Sequence, residues 1–184
     1  MERQQILALL PEILEIRSEK LRDQTVSAFQ LAIKEGGWSD EDVLHAPVSI
    51  SRGNCDVGLI EHIRDVTQAV LRNYLFLDKY FVRHGKRVDR DILICGALTH
   101  DLGKFTEYAM ESGRAVHGKT GNLLRHPLSG AILAAKAGLP DEVVHIVAVH
   151  SFEGDRSFRT AEADFIRDMD LFVFRCSTLG LSQK

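Results

Sequence analysis

Residues 94–105, ICGALTHDLGKF, open as an apolar run and close on His100, Asp101, Gly103 and Lys104. An adjacent imidazole and carboxylate at the end of an oily helix admit two readings: ordinary polar groups at a helix terminus, or ligands for a metal. The second gains from the other histidines. Eight occur, at positions 45, 62, 84, 100, 117, 126, 145 and 150. His62 in GLIEHIRDV, His100, His126 in LLRHPLSG and His150 in VAVHSFEG each fall where an expected helix begins or ends. With Asp101 and an aspartate from the last helix they could converge on one end of a helical bundle, where side chains on facing helices build metal sites. Imidazole with carboxylate suits Fe, Mn, Zn or a similar divalent ion, and no thiolate is placed to make a sulfur site. His100 and Asp101 would lie at a helix carboxyl end, whose unpaired carbonyls favour a cation. A His–Asp pair buried without metal carries a large desolvation cost unless fully hydrogen-bonded.

The elements that must deliver these groups read as helices throughout. Residues 12–34 place Ile13, Ile16, Leu21, Val26, Phe29, Leu31 and Ile33 at the spacing of one or two amphipathic helices, ended by Gly36 and Gly37. Ser39 before DED marks a capped short helix, and residues 45–57 read as a loop. A long helix runs from about Gly58 into the eighties, with Leu59, Ile63, Val66, Val70 and Leu75 inward. Asp89 caps the helix that ends on His100 and Asp101, and Gly103 supplies its stop. TEYAMESGRAVHG reads as a small hairpin. Two helices follow, HPLSGAILAAKAG and PDEVVHIVAVHS with Pro140 in a first turn, and a last one runs from Thr160 through AEADFIRDMDLFVFR. The fold class is all-α, a helical bundle with extra N-terminal helices.

THDLGK resembles the signature of the HD superfamily of metal-dependent phosphohydrolases, and the likeness covers residues 58–175. The resemblance implies an HD-domain bundle there, with residues 1–57 as N-terminal helices packed on it and 176–184 as a C-terminal tail. It implies His62, His100 and Asp101 as metal ligands, with Lys104 as the family's lysine. HPLSGA adds His126, found in members that hold two metals, and VHSFEG adds His150. The closing aspartate falls on Asp170, ten positions after Thr160, although Met169 stands where the family has a small residue. Asp168, the second choice, lies about 200° away around a helix, so the two cannot share a target, and Asp164, the third candidate, sits one turn from Asp168 on that other face. Six ligands exceed the needs of one ion beside substrate and water. Two divalent transition metals per chain follow, Fe or Mn with Zn, Ni or Mg as alternatives, and Asp101 as the bridge.

Lys104 and Asp101 are then the catalytic candidates. Lys119 and Arg125 are candidate phosphate contacts, with Arg114 weaker, and His117 is a candidate substrate contact. His45 and His84 read as surface. His145 points about 140° away from His150 and reads as a core or interface position. The polar, glycine-dotted residues 106–125 are a plausible cover over the site.

Composition bounds the rest. With 184 residues, 45% apolar and 27% charged, the chain suits one globular domain. A net charge of -3 and a pI near 6.2 give no electrostatic argument for a nucleic-acid polymer or a membrane surface. The N-terminal apolar run is too short for a signal peptide, and Cys55, Cys95 and Cys176 form no disulfide framework, so a cytoplasmic setting is expected. The leading function is metal-dependent hydrolysis of a small phosphoester or nucleotide-type substrate. The absence of Gly-Tyr-Pro after VHSFEG disfavours the cyclic-di-GMP branch. The alternatives are a di-iron oxygenase using the same cage and a non-catalytic metal-binding regulatory module. The N-terminal helices border the pocket or build a homodimer contact; the sequence leaves both open.

Overall fold

The computed structural model describes residues 1–50 and 57–178. Cys55 and residues 179–184 of the expected tail lie outside them, as do residues 51–56 of the expected 45–57 loop. In chain order the elements are α1 (Arg3–Leu9), a 3-10 turn (Pro11–Glu15), α2 (Glu19–Gly36), α3 (Asp40–Leu44), α4 (Leu59–Arg83), α5 (Arg90–Thr99) and α6 (Lys104–Glu107). Then come β1 (Tyr108–Glu111), β2 (Arg114–His117), α7 (His126–Lys136), α8 (Asp141–Val149) and α9 (Ala161–Ser177). Among the described residues the fold is all-α apart from one two-stranded hairpin.

Local chemistry starts and stops these helices. Ser18 accepts from the Leu21 amide at the head of α2, and Gly37 at φ 71° closes its far end in the left-handed region. Ser39 and Asp42 form a reciprocal capping box on α3. The Asp89 carboxylate accepts from the Asp91 and Ile92 amides of α5, and the Thr160 hydroxyl accepts from Ala163 on α9. The hairpin turns on Ser112 and Gly113, both at positive φ, which matches the right-handed twist of the flanking strands.

Four expectations need correction. Helix does not begin near residue 12: Pro11 opens a 3-10 turn, Ile16 is extended, and regular helix starts only at Glu19. Leu75 is 62% exposed rather than inward. It stands five residues after buried Val70, about 140° around the helix, so Tyr74 and Leu77 take the inner face. Gly103 is no left-handed stop, since its φ is -67° and a short helix follows at once. Glycine is needed there for approach: a Cβ would lie 2.0 Å from the His126 carbonyl oxygen and 2.6 Å from the Gly130 nitrogen. Finally, α9 continues through Cys176 and Ser177, the first two residues of the expected tail.

The main core joins the N-terminal and later helices. Ile6, Ile13, Val26 and Phe29 pack in one cluster with Leu59, Ile63, Leu98 and Phe105. Polar ties reinforce the join. Buried Glu12 takes hydrogen bonds from Arg64 and Gln68 of α4, and Asp91 of α5 accepts from the Arg17 and Ser18 amides. The Trp38 indole donates to the Phe105 carbonyl at 2.7 Å and meets its ring edge-on, fixing the α5–α6 turn against α2. A smaller cluster of Val70, Leu93, Ala97, Ile146 and Ile166 locks α4, α5, α8 and α9 together. Those four helices with α6 and α7 enclose the site. Among the described residues no helix is long and apolar enough to cross a membrane.

Candidate metal centre

Helix ends supply most of the polar side chains that meet at the centre. His62 lies in the first turn of α4, His126 opens α7, and His100 and His150 occupy the carboxyl-terminal caps of α5 and α8. Asp101 follows His100 directly, and Asp170 comes from the middle of α9. All four imidazoles and Asp101 are buried. The carboxyl ends of α5 and α8 both bring negative partial charge here, which favours a cation between them.

The Asp101 carboxylate divides the group. Its Oδ2 lies 3.4 Å from His100 Nε2 and 3.5 Å from His62 Nε2. Its Oδ1 lies 3.4 Å from His126 Nε2 and 3.7 Å from His150 Nε2. Asp170 Oδ1 completes the first side, 3.0 Å from His62 Nε2 and 3.7 Å from His100 Nε2. Two sets of donor atoms close enough to share an ion result: His62, His100 and Asp170, and Asp101, His126 and His150.

The hydrogen bonds behind the imidazoles show why these sets suit a cation. His100 Nδ1 lies 2.7 Å from the Ala97 carbonyl and His150 Nδ1 2.8 Å from that of Val147. His126 Nδ1 lies 2.7 Å from Glu107 Oε2. Each partner only accepts, so each Nδ1 carries a proton, and when the ring is neutral its Nε2 presents a lone pair. Those lone pairs face carboxylate oxygens and, for His100, another imidazole nitrogen 3.4 Å away. Acceptor then faces acceptor in a buried space, an arrangement that positive charge between them resolves. His62 differs, because its Nδ1 is buried with no hydrogen-bond partner among the described residues.

Electrostatics point the same way. Burial holds the His62 and His126 imidazoles below their ordinary range, against the opposing pull of Asp170 on one and Glu107 on the other. At His100 burial also disfavours charge, but the Asp101 and Asp170 carboxylates outweigh it and the net shift is upward. Burial would raise Asp101, yet Lys104 and His100 hold it well below the usual carboxylate range. For Asp170, burial is overcome by the His62 hydrogen bond and the His100 charge, and its carboxyl falls to about 2. The pocket keeps its acids ionised and calls for positive charge.

Lys104 is buried and donates to Asp101 Oδ2 at 2.6 Å and to the Val48 carbonyl at 2.8 Å. A cleft of about 220 Å³ opens over the cluster, lined by Val48, Lys104, Tyr108, Arg125, Leu171 and Phe174 among others. A larger cleft of about 710 Å³ beside Glu12 and Arg64 holds none of the clustered groups. Of the cationic candidates around the cover segment, Arg125 lines the smaller cleft, where it pairs with Glu107 at 3.3 Å and Glu153 at 3.1 Å. His117 and Lys119 are exposed and do not line it. Asp164 and Asp168 are exposed and pair with Arg159 and Arg167 instead. His45 and His84 are exposed, and half-buried His145 accepts from the Thr160 amide where α8 meets the start of α9. Sequence reading missed Glu107, a buried acid in KFTE whose only signal was its place three residues after Lys104.

The HD domain family matches residues 59–174, which span α4 through most of α9, and the chain belongs to this family. It is also similar to a dihydroneopterin 2',3'-cyclic phosphate phosphodiesterase from Methanocaldococcus jannaschii, 35% identical over 151 residues. That match covers 78% of this chain and 57% of the relative, so the chain spans little more than half of the relative's length. No solved structure matches.

Proposed function

We propose that the chain is a metal-dependent phosphohydrolase cleaving a small phosphoester or nucleotide-type substrate, with cyclic phosphodiesters the first class to test. The observation that carries the reading is Asp101, one buried carboxylate with an imidazole pair facing each oxygen. In this reading His62, His100, Asp101 and Asp170 hold one divalent transition ion, and Asp101, His126 and His150 hold a second. The donor set suits Fe or Mn, with Zn, Ni or Mg as alternatives. Held by these residues, such ions would supply an acidified water and positive charge for the oxygens of a displacement at phosphorus.

The chain's own groups do the rest. Lys104, fixed at both Val48 and Asp101, offers a preorganised positive charge to a phosphoryl oxygen. Arg125 at the cleft wall has the fork geometry for two phosphate oxygens, and would exchange part of its pairing with Glu107 and Glu153 to use it. Val48, Leu171 and Phe174 give the organic part of a substrate an apolar wall. His117 and Lys119 serve a substrate long enough to pass the cleft mouth. Residues 1–50 act as a buttress to a metal-binding domain over 58–175, and the protein works in the cytoplasm. The relative's name supports the cyclic phosphodiester class.

A metal-supplemented screen against phosphomonoesters, nucleotides, 2',3'-cyclic phosphates and dinucleoside polyphosphates tests the proposal. Turnover of at least one class should require Mn²⁺ or Fe²⁺ and disappear in the His100→Ala variant. Undiminished turnover by metal-stripped protein, or by that variant, would overturn it.

A further inference from the structure

We infer that Glu107 is a positioning residue for His126, and that the ion position built from Asp101, His126 and His150 depends on it. The inference rests on the two-ion reading above. Glu107 ends α6 and is fully buried, a costly place for a carboxylate without good partners. Its partners are specific. Oε2 accepts from the His126 backbone amide at 2.5 Å and lies 2.7 Å from His126 Nδ1. Oε1 takes the Arg125 guanidinium at 3.3 Å and has His117 Nδ1 at 3.9 Å.

The position of His126 explains why this help must come from outside its helix. His100 and His150 sit at helix carboxyl ends, where the carbonyl three residues earlier in the same helix accepts from Nδ1. His126 opens α7, so no preceding helical turn exists to supply that acceptor. Glu107 supplies it from α6. The loop that follows the hairpin closes around the same residue. The Gly118 amide donates to the Glu107 carbonyl at 2.8 Å, and a Cβ on Gly121 would lie 2.1 Å from that oxygen. One carboxylate thus fixes two consecutive residues, His126 turned to the ion cluster and Arg125 turned to the cleft.

A purely structural role, capping the first amide of α7, would alter stability alone. A positioning role makes a different demand, namely a change in the His126 tautomer and in one ion position but not the other. The metal-free wild type, Glu107→Gln and Glu107→Ala are titrated with Mn²⁺ by calorimetry, and imidazole ¹⁵N spectra are recorded on the metal-free proteins. Wild type should bind two ions with the His126 proton on Nδ1. Glu107→Ala should keep the first ion at unchanged affinity and lose about 10- to 100-fold at the second, with its His126 tautomers mixed. Glu107→Gln, which retains an oxygen acceptor at the same reach, should recover the tautomer and part of the second affinity. Variants that fold with wild-type circular dichroism yet bind both ions normally, or lose both equally, would overturn the inference. If Glu107→Ala does not fold, Glu107→Gln decides alone: it must weaken the second position selectively. A wild type that binds fewer than two ions would instead defeat the two-ion reading itself.

Discussion

At the scale of single residues, Lys104 is where the proposed reading parts ion holding from chemistry. Its ammonium touches Asp101 Oδ2 but belongs to neither set of clustered donor atoms. Lys104→Ala should therefore keep both ions, as read by metal analysis, while kcat falls about 10²- to 10³-fold, the usual loss for one electrostatic donor. Loss of metal in that variant would make the lysine structural. The imidazoles and Asp101 were legible in the sequence because side chains of those types stood at helix ends. Asp170 was reached through the family resemblance, ten positions after Thr160; helical phase said only that Asp168, about 200° away and exposed in the structure, could not share its target. Glu107 was not legible. An acid in a polar stretch reads as a solvated surface group, and only the meeting of α6 with the head of α7 gives it a buried partner.

At the scale of elements, the α5–α6 turn and α7 approach so closely that glycine is required at 103. Gly103→Ala should drive its methyl group into the His126 carbonyl and the Gly130 amide, backbone atoms that cannot swing aside. We expect a loss of about 1–3 kcal/mol or more from overpacking. Urea denaturation checks it through a lower midpoint at unchanged slope; an unaltered midpoint would mean the backbones separate freely. Capping residues and apolar spacing revealed α2, α3, α5, α7, α8 and α9, and the polar, glycine-dotted stretch TEYAMESGRAVHG suggested the hairpin. The start of regular helix near Glu19 was hidden because 3-10 turns carry similar apolar spacing. Leu75 was misplaced because the distal part of α4 is apolar on several sides, with Phe76 and Tyr80 also exposed, so periodicity alone cannot choose its inner face.

For the whole molecule, helices far apart in sequence hold six polar groups together, and the shared N-terminal core stiffens them. Ions that bind only where those helices meet must stabilise the fold. At an ion concentration 100 times the dissociation constant, linkage contributes about 2.7 kcal/mol for one site. Scanning calorimetry should show a lower Tm after chelation, restored by Mn²⁺; an identical Tm in both states would place the ions outside the folded cluster. The convergence of α4, α5, α7, α8 and α9 on one point was legible only through the family resemblance, because spacing along the chain does not fix how helices cross. Anomalous diffraction from Mn²⁺-loaded crystals tests that convergence most directly. Two peaks should flank Asp101, about 3.5–4 Å apart as in other paired-ion sites, one beside His62, His100 and Asp170 and the other beside His126 and His150. A map with no peak at Asp101, or with manganese bound only elsewhere, would contradict it.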